Sequence, residues 1–166
     1  MKYFFASLFF ILLLNSCATK SAFSKFDMDK EQELTASVLQ SSKITSPEGL
    51  QGVISAVYLN EIYPDRFKNN ENFYLYFYLK NDKSDFKIKL NGVSSTSVKK
   101  LPFDNEFSHL VLTDNDWNKY YLVEFDEQVF EKDDNETEAA FALRSKRLNL
   151  TLESGDANAT LYFKKN

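Results

Sequence analysis

The chain has 166 residues, 43% hydrophobic and 16% aromatic, with 20 basic and 24 acidic side chains, one histidine and one cysteine. A formal charge of −4 supplies no attractive field for nucleic acid, and no Lys/Arg cluster interleaved with aromatics overrides it. One cysteine and one histidine exclude an intramolecular disulfide and a zinc site of Cys/His type, and four scattered glycines form no phosphate loop, so no metal or cofactor is expected.

Lys2 opens the chain, an apolar run of about 12 residues follows from Tyr3 to Leu14, and Leu14-Asn15-Ser16-Cys17 closes it. A positive start, an apolar stretch and small residues before a cut form an export signal, and the run falls short of the roughly 20 residues a spanning helix needs. The four closing residues resemble the lipobox of bacterial lipoproteins, with Asn15 the one departure. That resemblance implies cleavage after residue 16 and acylation of Cys17, which becomes the lipidated N-terminus. Each buried methylene contributes about 0.8 kcal/mol and two acyl chains already anchor stably, so the anchor would be permanent. Ala18, where an aspartate often retains lipoproteins in the inner membrane, implies the outer membrane. Cleavage would remove Lys2 and no acid, taking the net charge from −4 to −5.

Residues 17–33 are small, polar and charged, with Phe23 and Phe26 the only large apolar groups, and read as a tether. About 15 residues of coil average roughly 20 Å end to end and reach at most about 50 Å. Residues 34–166 fit one domain, held together by apolar burial and rich in bulk from sixteen Phe and nine Tyr.

The domain's periodicity is two. Strands are expected near 34–45 and 50–62, separated by Ser46-Pro47-Glu48-Gly49. In 72–80, Phe73, Leu75, Phe77 and Leu79 share one face and Tyr74, Tyr76 and Tyr78 the other. Phe86, Ile88 and Leu90 alternate with Lys87 and Lys89, and Asn91-Gly92 ends that strand. Residues 107–111 read as a strand, which would point Ser108 and His109 to opposite faces and deny them a nucleophile–base pairing. Tyr121, Val123 and Phe125 alternate with Tyr120, Leu122 and Glu124. Residues 136–145, with Ala139, Ala140 and Ala142, read as a loop entering a strand. Leu148, Leu150 and Leu152 then alternate with Asn149, Thr151 and Glu153, and Ser154-Gly155-Asp156 turns into Ala159, Leu161 and Phe163. About eight or nine short strands with polar turns predict an all-β antiparallel sandwich, immunoglobulin-like in topology, with an open or closed barrel as the alternative.

No assembled catalytic set emerges, so the chain reads as non-enzymatic. The acidic stretch 124–138 and Asp114-Asn115-Asp116 offer oxygens for calcium but lack EF-hand spacing, and a solvated loop is the simpler reading. Tyr74, Tyr76 and Tyr78 form a ring stripe suited to partner contact or to packing under a loop. Trp117, beside a polar turn, is either an exposed contact or a cap on the core. Three Asn-x-Ser/Thr sequences occur, at Asn135, Asn149 and Asn158. Asp133 and Asp156 stand two places before Asn135 and Asn158, so those two resemble the acid-extended acceptor of bacterial N-glycosylation. Asn149, preceded by Arg147, does not.

Taken together, the Lys, Asn and Phe richness, the lipobox and the acid-extended acceptors resemble small epsilonproteobacterial lipoproteins, some with immunoglobulin-like sandwiches. The resemblance implies an outer-membrane module, anchored through lipid, that contacts a surface or envelope partner. An inhibitor or accessory subunit of an envelope enzyme is the alternative.

Overall fold

The computed structural model describes residues 29–81, 85–111, 115–127 and 134–165. The export signal, Cys17, most of the tether, Asp114 and residues 128–133 of the acidic stretch lie outside them.

The described chain is all-β with nine antiparallel strands: β1 (Leu39–Ser46), β2 (Gly49–Tyr58), β3 (Asn70–Leu79), β4 (Lys87–Leu90), β5 (Val93–Ser94), β6 (Ser97–Leu101), β7 (Lys119–Asp126), β8 (Arg147–Ser154) and β9 (Ala157–Lys164). They form one sheet in the order β5-β4-β8-β9-β1-β2-β3-β7-β6. The two edge strands, β5 and β6, are consecutive in sequence and separated only by Ser95 and Thr96. Three Cα steps span at most about 11 Å, so the edges can be neighbours only if the sheet curls strongly. The link is sewn to both sides: Ser95 N–H donates to Ile88 O on β4 (3.1 Å) and Thr96 N–H to Glu124 O on β7 (2.9 Å). The result is a half-barrel in one continuous sheet, where separate facing sheets were expected. The ladder is thinnest between β1 and β9, which pair only at Thr45 and Asn158.

The alternation read from the sequence decides what fills the curl. Ile54, Phe73, Leu75, Phe77, Val123, Phe125, Leu148, Leu150, Leu152 and Leu161 all face one continuous buried core. Burying such a side chain contributes about 1.5–3 kcal/mol. Rings bridge the two sides of the curl, with centroids 5.2 Å apart for Phe73 and Phe163 and 5.0 Å for Phe77 and Phe86. One acid enters this interior: Glu71, its side chain 2% exposed, accepts from the Tyr58 hydroxyl and from Lys165 Nζ. Burial, then the hydrogen bond to Glu71, holds the Tyr58 phenol far above its ordinary range.

A second core lies on the convex side of β2, β3 and β7. Tyr74, Tyr76 and Tyr120 pack there with Val57, Leu59, Phe107 and Leu110. Helix α1 (Lys30–Val38), the helical turn α2 (Leu59–Ile62) and the segment 102–111 stand on this side. This core accounts for three departures from the sequence expectation. The end of the tether is helix α1, because Asp29 and Gln32 form a capping box: Asp29 Oδ1 accepts from Gln32 N–H (2.8 Å) and Gln32 Oε1 from Asp29 N–H (3.1 Å). The first strand therefore starts at Leu39. The second strand stops at Tyr58, since residues 59–62 turn helically to bury Leu59 and Ile62. Residues 108–110 form a single 3₁₀ turn and not a strand. The fourth departure is α3 (Glu138–Arg144), where a loop into a strand was expected. Thr137 caps it by accepting from Ala140 N–H (3.2 Å), and an alanine-rich segment with such a cap favours helix without needing a buried face.

Helix α1 is fastened by one acid. Glu31 Oε2 accepts from the Tyr63 hydroxyl (2.6 Å) and contacts His109 Nε2 (2.9 Å), while Gln32 Nε2 donates to His109 O (3.0 Å). The Tyr63 and then the His109 contact lower the Glu31 carboxyl from its ordinary 4.5. A depressed carboxyl contributes stability that is present above its unfolded pKa and is lost as pH falls through the lower folded value. Acidification below about pH 4.5 should therefore loosen the hold on α1 while the rest of the domain stays folded. Hydrogen exchange at the α1 amides measures this: protection should drop there first, and Glu31→Gln should remove the pH dependence. Equal loss of protection in β3 would refute a local release.

Candidate functional site

The sequence-derived contact residues separate by depth. Tyr74 and Tyr76 are buried in the convex core, Tyr74 beneath segment 102–111 and Tyr76 at the base of a cleft described below. Tyr74 packs against Phe107 with the rings tilted by 41° and their centroids 5.5 Å apart, and its hydroxyl accepts from Asn105 Nδ2 (3.3 Å). Burial, opposed by that hydrogen bond, pushes its phenol up to about 12. Tyr76 is raised by burial as well, with a hydrogen bond to Ser55 opposing the shift. Tyr78, one step beyond the cover, is 42% exposed.

Trp117 is 76% exposed and does not cap the core. Two hydrogen bonds tie its turn at Asn115: Trp117 N–H donates to Asn115 Oδ1 (2.8 Å), and the Tyr120 hydroxyl donates to Asn115 O (2.9 Å). An indole held out in water by a hydrogen-bonded turn is costly in exposed apolar area and is placed for contact.

Trp117 and Tyr78 share two clefts. The first, about 490 Å³, is lined by Val53, Ser55, Tyr76, Tyr78, Asn115, Trp117 and Asn118. Cross-strand pairing builds it: Val53 lies opposite Tyr78 and Ser55 opposite Tyr76. Its chemistry is three rings, a valine, two primary amides and hydroxyls, with no charged group on its walls. The second, about 590 Å³, runs from Tyr78 and Trp117 past Phe103 and Pro102, with Lys80, Lys100, Lys119 and Asp116 along it. Trp117 is thus a common wall between an amide-lined and a charged cleft. Rings set beside amides suit a flat-faced polar ligand that stacks and hydrogen-bonds at once.

The remaining sequence-derived residues fall elsewhere. Asn135 is exposed in the turn before α3, on backbone an enzyme could reach. Asn158 is exposed but sits on β9, its backbone registered against Glu153 and Thr45. The Ser108 hydroxyl donates to Phe103 O (2.8 Å) and receives Asn105 N–H (2.8 Å). The His109 contacts to Glu31 and to Tyr63 (3.2 Å) both use Nε2, so the ring relays no proton between them. Among the described residues no group of three or more His, Cys, Asp or Glu is placed to hold a metal, and no helix is long and apolar enough to cross a membrane.

Sequence reasoning missed the contributions of Val53, Ser55 and the amides of Asn115 and Asn118, because they reach the cleft only through strand register and turn geometry. A scan against protein-family models and searches of curated proteins and of solved structures found no match to this chain.

Proposed function

We propose that the protein is a lipid-anchored, non-catalytic contact module of the outer membrane, held through Cys17 and binding its partner at the Trp117–Tyr78 ridge. The observation that carries the binding reading is the exposed indole on a doubly hydrogen-bonded turn, flanked by two clefts. The lipobox, Ala18 and the polar segment after Cys17 support the anchoring. An envelope partner is the favoured one, either a surface or a cell-wall component; inhibition of an envelope enzyme through the same ridge is the second reading. The one-pair junction of β1 and β9 leaves four strands on one side and five on the other, packed over a shared core. That division supports reading the half-barrel as a sandwich in which the two layers have fused at one point.

Trp117 is the only tryptophan in the chain, so its emission reports this site alone. Emission of the free protein should be that of a solvated indole. Titration with soluble peptidoglycan fragments, and separately with outer-leaflet glycans, should shift it to the blue for the true partner class. Trp117→Ala should cost about 2 kcal/mol or more of that affinity, roughly thirtyfold, as truncation of a central aromatic anchor does. Undiminished binding by Trp117→Ala, followed calorimetrically, would move the site off the ridge.

A further inference from the structure

A different part of the molecule carries a second site. Beyond Thr45 and Asn158 the strands β1 and β9 are not paired, and a cleft of about 760 Å³ opens between their diverging ends. Its walls come from Val38 at the end of α1, Gln40, and two residues of the interior core, Tyr58 and Phe163. The cleft therefore leads from solvent to core side chains, and its size is that of a small-molecule pocket.

The mouth is built differently from the floor. Arg147 and Lys164 lie directly opposite each other on β8 and β9, both exposed. Two like charges in direct cross-strand register repel, and among the described residues neither has an ion pair. Among the described residues no acid lines the cleft, and Glu71, which accepts from the hydroxyl of its floor residue Tyr58, is also bound by Lys165. Beside the two cations stand Leu143, exposed on α3, and Tyr162, 68% exposed and opposite Asn149. A net-negative protein thus concentrates unpaired positive charge at the lip of an apolar-floored cleft.

We propose that this seam binds an anionic amphiphile: an acyl chain lying along Val38, Tyr58 and Phe163, with its carboxylate or phosphate head between Arg147 and Lys164. The head would relieve the repulsion of the cross-strand pair, and charge-assisted hydrogen bonds from a guanidinium are among the stronger contacts available. The chain would be withdrawn from water by the cleft walls and by Leu143 and Tyr162 at the rim.

The test uses the full chain reconstituted in phosphatidylcholine nanodiscs, with a palmitate carrying a mid-chain diazirine as probe. After photolysis and digestion, adducts should map to peptides containing Val38, Tyr58 or Phe163. Charge reversal, Arg147→Glu with Lys164→Glu, should cut labelling about tenfold, the effect of losing one charge-assisted contact. Val38→Trp, which fills the cleft without touching its charge, should cut it as well, with circular dichroism verifying that both variants fold. Unlabelled competitors distinguish the sources: displacement by palmitate alone assigns a free fatty acid, and by lysophosphatidylglycerol alone a phospholipid. Displacement by both supports the shared head-and-chain chemistry. Hexadecanol, the same chain without charge, should compete poorly. Hexadecanol competing as well as the anions, labelling spread over exposed side chains such as Trp117, or labelling unchanged in both variants would overturn the proposal.

Discussion

Gly52→Ala is expected to destabilise the domain by about 3 kcal/mol and to disturb the ridge at the same time. A Cβ on Gly52 would stand 2.0 Å from the backbone oxygen of Tyr78 and 3.0 Å from its carbonyl carbon. No side-chain rotation relieves a clash with backbone, so β2 and β3 must separate, and overpacking of this kind costs 1–3 kcal/mol or somewhat more. The position is intolerant because Gly52 lies where the β1–β2 register slips. Ile44 pairs with Gly52 and Thr45 with Leu50, leaving Gln51 as the extra residue of a bulge. The bulge draws β2 against β3 at the point where Tyr78 turns outward. Chemical denaturation should show a lower midpoint at unchanged slope. Near-ultraviolet dichroism of the variant's native state should also change, since Tyr78 is displaced. A variant as stable as the parent would mean that the strands are not this close.

Removing one partner of the Glu71–Lys165 pair is the second large effect. Glu71 is buried in the barrel interior and Lys165 reaches it from the last strand, which ends at Lys164. Lys165→Met would leave the carboxylate with Tyr58 alone. Breaking a buried ion pair from one side costs about 3–5 kcal/mol, and the partial exposure of Lys165 places this pair at or below the lower end. The double variant Glu71→Leu with Lys165→Met should recover part of the loss, because it removes the buried charge together with its partner but leaves the Tyr58 hydroxyl without its acceptor. Equilibrium unfolding of the two single variants and the double gives the coupling energy directly. Full additivity would show that the contact contributes no stability. The expected coupling means that the C-terminal strand end is tied into the core by an electrostatic contact as well as by its ladder.

The alternating runs of β3, β7, β8 and β9 were legible because period-two patterning is imposed locally: a half-buried strand must alternate whichever neighbours it has. Phe73, Leu75 and Phe77 on one face, and Leu148, Leu150 and Leu152 on another strand, all reached the core as read. The helices were not legible by the same signal. α1 is polar, with only Thr35 buried, and α3 has no buried residue, so neither carries an apolar stripe. Their signatures were the caps, Asp29 with Gln32 and Thr137 with Ala140, which a search for periodicity passes over. The 3₁₀ turn at 108–110 was mistaken for a strand because Phe107 and Leu110 are apolar for a different reason. They cover Tyr74 and its neighbours from outside the sheet.

The tyrosine stripe shows where local reading ends. Tyr74, Tyr76 and Tyr78 share one face of one strand, yet two are buried and one is half in water. Nothing within β3 distinguishes them. The cover does: α1, α2 and segment 102–111 bury Tyr74 and Tyr76 but leave Tyr78 open beside a cleft.

The sequence alone determined the all-β character and the faces of the alternating strands, the absence of an intramolecular disulfide, the acidic charge balance and the lipobox-like close of its first segment, since each follows from residue identity and spacing; it passed over β5 and β6. Only the tertiary structure decided that the strands form a single curled sheet, since closure depends on a two-residue link meeting two distant edges. The same structure decided that Trp117 stands free as a wall between two clefts, and that β1 and β9 part to open a third. Those features belong to register and curvature, which are set by contacts between residues far apart in the chain.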